Sequence, residues 1–269
     1  MIPCIFGCGG FFIYTEAFMD AEKLLAYWKS EEAHAMEGWD FSCIEERYKS
    51  DPLPWDYREI VQEYRKTTDI LLDMGTGGGE FLLSLSHPYS RTTVTEAYPP
   101  NVRLCRERLN PLGITVVQAD CEGLLPFPDG TFDLVLNRHE SFFLPEVHRI
   151  LRPGGIFVTQ QVGGMNNHDL SALLMGSFTP NFPDHRLDTY LPVLHDLGFE
   201  ILRADESFGK MRFFDSGALA WYAKIIQWEF PGFSAERCFD GLMRCHREIL
   251  DRGYVSGTEH RFLIAARKK

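Results

Sequence analysis

The sequence lacks any apolar run approaching the roughly 20 residues that a membrane-spanning helix needs, so no such span is expected. It also lacks a CxxC pair. Its cysteines stand at 4, 8, 43, 105, 121, 238 and 245, an odd number, and only Cys4 and Cys8 are close. No neighbouring His or Cys completes a zinc site there. Neither a metal site nor a disulfide framework is expected, and the thiols read as reduced cysteines of a cytoplasmic protein. Residues 1–18 contain no Lys or Arg and no small-residue cleavage site, which argues against a secretory signal. They read as an N-terminal extension, with Met19 opening an ordinary amphipathic helix. Internal repeats and low-complexity tracts are missing as well. Positive charge is scarce: 27 Lys and Arg against 38 Asp and Glu leave a net charge of −11. So acidic a chain repels phosphate backbones, which disfavours nucleic acid as a partner and favours a small molecule.

What remains is an ordinary globular composition. With 269 residues, 45% hydrophobic and 24% charged, the chain has material for one large domain or a domain with an elaborated cap. Leu24, Leu25, Trp28 and Ala35 recur at helical spacing, predicting a helix from Asp20 to about Glu37. A loop with Trp39, Phe41 and Asp51-Pro52-Leu53-Pro54-Trp55 follows, and Asp56 is the expected N-cap of a second helix ending near Lys66. Residues 19–67 thus form an N-terminal helical segment.

From Thr68 the pattern changes to short apolar strands alternating with helices. Strands are expected at Ile70–Leu72, Thr92–Ala97, Ile114–Ala119, Phe132–Leu136, Ile156–Val162, Phe199–Phe208 and His260–Arg267. Helices are expected at Glu80–Ser86, Asn101–Leu109, Pro145–Leu151, Asp169–Met175 and Thr189–Leu197. This alternation predicts an α/β fold, a largely parallel sheet with helices on both faces. Right-handed crossovers collect the strand C-termini along one edge, where open α/β sheets bind ligands. Residues 209–258 are too long for a hairpin turn and rich in aromatics, including Phe214, Trp221, Tyr222 and Trp228. They should form a cap inserted between the last two strands of a domain spanning 68–269.

The chemistry concentrates in Leu71-Leu72-Asp73-Met74-Gly75-Thr76-Gly77-Gly78-Gly79-Glu80. A strand delivers an acid, and a glycine turn then opens a helix. Glycines at 75, 77 and 79 permit unusual backbone angles and close approach of a ligand. A dinucleotide fingerprint, G-x-G-x-x-G, would need glycine at position 80, where Glu80 stands. An acid ahead of the turn disfavours an anion and favours a cationic or zwitterionic ligand.

Asp73 to Gly79 resembles the first motif of class I S-adenosylmethionine-dependent methyltransferases, an acid followed after one residue by G-x-G-x-G. Glu96, 23 residues after Asp73, resembles the family's acid at the end of the second strand. Asp120 with Cys121 resembles the acid near the end of the third. Leu124-Leu125-Pro126-Phe127-Pro128-Asp129-Gly130-Thr131-Phe132-Asp133-Leu134-Val135-Leu136 and Leu151-Arg152-Pro153-Gly154-Gly155 resemble its segments before strands four and five. The resemblance spans about Leu71 to Val162.

It implies a Rossmann-like, seven-stranded methyltransferase sheet with the last strand antiparallel beside strand five. It implies S-adenosylmethionine as cofactor, held by Asp73, Gly75, Thr76, Gly77, Gly79, Glu96, Asp120, Cys121 and Asn137. Glu96 would accept from the ribose hydroxyls and Asp120 from the adenine amine. His139, after strand four on the ligand edge, is the expected base if the acceptor must lose a proton, with Glu140 a weaker candidate. Gln160, Gln161 and Asn166-Asn167-His168 close or follow strand five, and Trp55 stands in a proline-stiffened loop as either a core anchor or a cofactor cover. Trp221 and Trp228, seven apart, read as one core-facing helical stripe. Lys210 and Arg212 read as a solvated pair. The function expected is methyl transfer to a small-molecule acceptor. RNA methylation and cofactor binding without catalysis are the alternatives.

Overall fold

A computed structural model describes residues 20–36 and 41–269; the expectations for residues 1–18, Met19, Trp39, Cys4 and Cys8 lie outside them. In chain order the elements are α1 (Ala21–Glu32), β1 (Tyr48–Ser50), α2 (Tyr57–Tyr64), β2 (Leu71–Met74), α3 (Glu80–Ser84), β3 (Thr92–Glu96) and α4 (Pro99–Leu109). Then come β4 (Thr115–Gln118), β5 (Phe132–Arg138), α5 (Leu144–Ile150), β6 (Leu151–Val162), α6 (His168–Met175) and α7 (Leu187–Asp196). The chain closes with β7 (Phe199–Phe213), α8 (Ser216–Ile225), α9 (Phe239–Arg252) and β8 (Val255–Lys268).

The strands order as β1-β7-β8-β6-β5-β2-β3-β4. β4, β3, β2, β5 and β6 pair in parallel, and β8 lies antiparallel against β6 with Val158 opposite Ala265. The Rossmann-like α/β fold and its antiparallel last strand are as expected, but the sheet has eight strands rather than seven. The added strand is β1, three residues paired antiparallel to Met211–Phe213. So short a segment carries too few residues to display an alternation of its own. The Asp51 carboxylate, which takes the Lys210 amide at 3.1 Å and the Arg212 guanidinium at 2.5 Å, secures that edge. β7 runs five residues past its expected end, and β8 starts five residues early. The Leu151-Arg152-Pro153-Gly154-Gly155 segment is a bulge inside β6 rather than a turn before it: Phe132 pairs with Leu151 and Leu134 with Ile156.

The chain divides into two compact units. One comprises Leu53–Gly163, Asp184–Ser207 and Arg261–Lys269. Its sheet is covered on one face by a core that includes Trp55, Ile60, Val61, Leu82, Leu109, Leu136 and Val158. The other face is covered by Val135, Val147, Ile150, Phe157, Leu194 and Phe199. Burial on both sides explains why the central β2 and β5 read as largely apolar runs. Asp56 caps α2 as expected, accepting from the Arg58 and Glu59 amides at 2.7 and 3.2 Å.

The second unit contains the described residues of 20–52, with Gly164–Pro183 and Phe208–His260. Its core gathers Trp28, Leu174, Phe213, Trp221, Phe230 and Leu242. The Trp28 indole donates to Ser216 at 2.9 Å. Glu229, 7% exposed, is bracketed by the Asn166 and Asn167 amides, each at 2.7 Å. The asparagines that follow strand five are therefore buried struts of this unit. Trp228 is 41% exposed and lies past the end of α8, so it does not share a stripe with buried Trp221. Lys210 and Arg212 are not a solvated pair: Lys210 reaches Thr258 at 2.8 Å and Asp169 at 3.3 Å, and Arg212 holds Asp51.

Candidate functional site

Next to the last residue of β2 stands Asp73, 4% exposed, whose Oδ2 accepts from the Thr76 hydroxyl at 2.7 Å. Burial pushes this carboxyl up to about 6, against the pull of the Thr76 hydrogen bond and the Arg138 charge. The turn then requires glycine. Gly75 and Gly77 have φ of 64° and 61°, the left-handed region costly for residues with a Cβ. A Cβ on Gly77 would meet nothing within 4 Å, so the backbone there faces open space in which a ligand can lie.

β3 holds the turn in place. The Thr76 amide donates to the Thr95 carbonyl at 3.0 Å and the Gly75 amide to the Thr95 hydroxyl at 3.3 Å. Glu96, 6% exposed, accepts from the Gly77 amide through Oε2 and from the Tyr98 amide through Oε1, both at 2.9 Å. Each oxygen keeps a second lone pair, so Glu96 is aimed and still able to accept. Cys105 donates to the Gly77 carbonyl at 2.9 Å. Gly79, at φ 81°, is the N-cap of the five-residue α3.

Asp120 lies two residues beyond β4, exposed, with Oδ1 on the Glu122 amide at 2.8 Å. Buried Cys121 contacts the Thr95 hydroxyl at 3.4 Å, and burial pushes its thiol up to about 12. The structure thus gathers Asp73, the glycine turn, Glu96 and Cys121 around Thr95. Asn137 belongs to the same edge, but its fully buried side chain is committed elsewhere. Its Oδ1 accepts from Thr159 at 3.0 Å and Gln161 at 2.5 Å, and its amide reaches the Ser141 carbonyl at 3.2 Å. It orders the loop after β5.

His139 has φ of 61°. Its amide is tied to the Gln160 carbonyl at 2.8 Å, and Nε2 lies 3.1 Å from the Gln160 side-chain nitrogen. Because the Gln160 oxygen accepts from the Trp55 indole at 2.8 Å, its amide nitrogen must face the ring and donate. That assigns the His139 lone pair to Nε2 and the proton to Nδ1. Although the residue as a whole is exposed, the surrounding protein desolvates its ring. That desolvation, with the charges of Arg261 and Arg138, pulls the imidazole down to about 3. The ring is neutral, with its basic nitrogen already engaged. Trp55, 8% exposed, is both a core anchor and the first link of this chain.

Three groups escaped the sequence reading. The buried Tyr57 hydroxyl lies 3.1 Å from both the Asn137 and Val158 carbonyls, tying α2 to two strands. The Arg138 guanidinium lies 4.7 Å over the Phe81 ring. His185 lies 2.7 Å from the Tyr190 hydroxyl and 3.3 Å from the Gln161 oxygen. Of these, only Arg138 had a local signal, its place at the end of an apolar strand. Among the described residues, no group of three His, Cys, Asp or Glu is arranged to hold a metal ion.

The family described as "Methyltransferase domain" matches residues 72–159. The fatty-acid O-methyltransferase of Mycolicibacterium smegmatis is 40% identical over 91 residues, 31% of this chain and 33% of that protein. A probable phthiotriol/phenolphthiotriol dimycocerosates methyltransferase of Mycobacterium ulcerans is 39% identical over 90 residues, 31% of this chain and 34% of that protein. The match thus spans about a third of these curated relatives. Among solved structures, a functionally unknown protein of Deinococcus radiodurans superposes with a TM-score of 0.57 at 13% identity, covering 92% of this chain and 98% of that one. The YcgJ protein of Bacillus subtilis gives 0.54 at 18% identity, covering 79% and 97%.

Proposed function

We propose, from the premise that residues 72–159 are a methyltransferase domain of the class I S-adenosylmethionine-dependent family, that this protein binds S-adenosylmethionine and transfers its methyl group to a small-molecule acceptor. One observation carries the reading: a left-handed glycine turn, open over Gly77, lies between a buried Asp73 and a Glu96 aimed by the turn's own amide. Those residues suit a zwitterionic ligand with sugar hydroxyls, since both acids keep accepting capacity. Asp73, Gly75, Thr76, Gly77 and Glu96 would hold the cofactor, with Asp120 and Cys121 toward its base and Gly79 supporting the turn. Bound there, the cofactor supplies a methyl group already activated by its sulfonium. The chain's own task is then to place the acceptor and exclude water. His139, neutral with Nε2 engaged, serves as a positioning donor through Nδ1 rather than as a base. Asn137 acts through the loop it orders.

The matched mycobacterial proteins carry the names of lipid-related substrates. Their likeness covers about a third of each chain, so the small-molecule acceptor rests on this chain's charge of −11. Among the described residues no helix is long and apolar enough to cross a membrane; the cytoplasmic setting rests on cysteines whose spacing builds no disulfide framework. Calorimetric titration with S-adenosylmethionine and S-adenosylhomocysteine tests the reading, with NADH and Asp73→Ala as controls. Binding of the first two, lost in the variant, is expected; binding of NADH alone, or of none, overturns it. Acceptor-dependent formation of S-adenosylhomocysteine separates an enzyme from a cofactor-binding protein.

A further inference from the structure

Glu140 follows His139 in the loop that leaves β5, and its side chain lies directly against the glycine turn. A Cβ placed on Gly75 would come 2.3 Å from its Cγ and 2.5 Å from its Oε2. Gly75 is therefore glycine for two reasons, its backbone angle and the carboxylate laid over it. The following residue fixes how that carboxylate is turned. Ser141 donates both its amide, at 3.2 Å, and its hydroxyl, at 3.0 Å, to Oε1. Gln161 holds the loop itself, donating to the Glu140 carbonyl at 3.1 Å. Oε2 is left as the oxygen facing the turn.

The electrostatic surroundings are one-sided. Burial, and after it the charges of Glu96 and Asp120, hold the Glu140 carboxyl above the ordinary range against the pull of the Ser141 hydrogen bonds. Asp73 stands near the end of the strand that leads into the turn, and Arg138 supplies the counter-charge felt there. The charges of Glu96 and Asp120 oppose the charge on Glu140, and a cationic ligand beside Glu140 relieves that repulsion.

Building on the cofactor reading above, we propose that Glu140 is the charge-reading residue of the site. Its Oε2 faces the sulfonium of S-adenosylmethionine, and the site thereby prefers this cation to the neutral thioether left once the methyl has gone. Glu140 takes no proton and forms no bond in this role. It lowers the energy of the charged ligand and leaves the product without that attraction, which speeds product release.

The test uses the full chain and two defined ligands. Dissociation constants for S-adenosylmethionine and S-adenosylhomocysteine are measured by calorimetry for wild type, Glu140→Gln and Ser141→Ala. Wild type is expected to bind the sulfonium more tightly. Glu140→Gln should weaken S-adenosylmethionine about tenfold, the scale of one partly screened charge contact, while S-adenosylhomocysteine changes far less. Ser141→Ala, which unties Oε1 and keeps the charge, should shift the ratio in the same direction by a smaller factor. Thermal melts with and without ligand give the same comparison should Glu140→Gln be poorly stable. Equal weakening of both ligands would place Glu140 on a part they share and overturn the proposal alone, as would no change in either. Failure of wild type to bind either ligand overturns the cofactor reading and this proposal with it.

Discussion

Asp73 carries its carboxyl into the end of β2, where burial raises it from an ordinary 3.8 to about 6. Between those values the folded chain keeps a proton that the unfolded chain has released. Stability therefore falls as pH rises through that window, and Asp73→Asn should flatten the dependence in denaturation curves. A cation bound beside the acid reverses the preference and favours the ionised form. Cofactor affinity should accordingly fall as pH drops below about 6, with a proton released on binding. Calorimetry in two buffers of different ionisation enthalpy, below and well above that pKa, counts the proton. At Gly75 the reasoning is steric. Alanine there adopts a left-handed angle costing about 1–3 kcal/mol and drives a methyl into the Glu140 side chain. Gly75→Ala should lower the melting temperature and abolish cofactor binding, whereas Gly77→Ala should cost the free protein only its backbone strain and weaken cofactor binding by placing a methyl in the open space over the turn.

The site depends on elements being tied to one another. The Trp55 indole, the Gln160 amide and the His139 ring form one directional chain from the segment before α2, across β6, to the loop after β5. Trp55→Phe keeps most of the buried ring and removes the donor. It should cost about 1 kcal/mol, a typical net hydrogen bond, and free the Gln160 amide to reorient, seen as a changed His139 ring resonance in NMR. Asp56→Ala removes the α2 cap and should cost about 1 kcal/mol in chemical denaturation. Elements bearing the glycine motif were legible to within a few residues, because a doubly covered parallel strand is an apolar run closed by glycine. The outer strands were not. Along β7, residues 200–210 are exposed or half-buried, so no hydrophobic period marks where the strand stops.

At the scale of the whole chain, three separated stretches make up one of the compact units, and its buried polar core is the least legible feature. Glu229 carries two asparagine amides from 62 and 63 residues away. Glu229→Ala would strand those buried donors and should cost about 2 kcal/mol or more, measured as a shift in denaturation midpoint, with Glu229→Gln costing less. The net charge of −11 predicts that duplex DNA and structured RNA show no retardation by the protein even at low salt. Retardation there would revive an RNA acceptor.

Local chemistry in the sequence was enough for the α/β class, the acid–glycine turn, and the acids at Glu96 and Asp120. Each depends on residue type at short spacing, which the backbone of a strand–turn–helix unit obeys regardless of its surroundings. Tertiary structure decided what those side chains do. It turned Asn137 inward, gave the His139 lone pair to Gln160, and laid Glu140 across Gly75. Those outcomes follow from contacts between residues brought together by strand order rather than by neighbouring position. A hydrogen-bond partner 21 residues away leaves no mark on the sequence around either group.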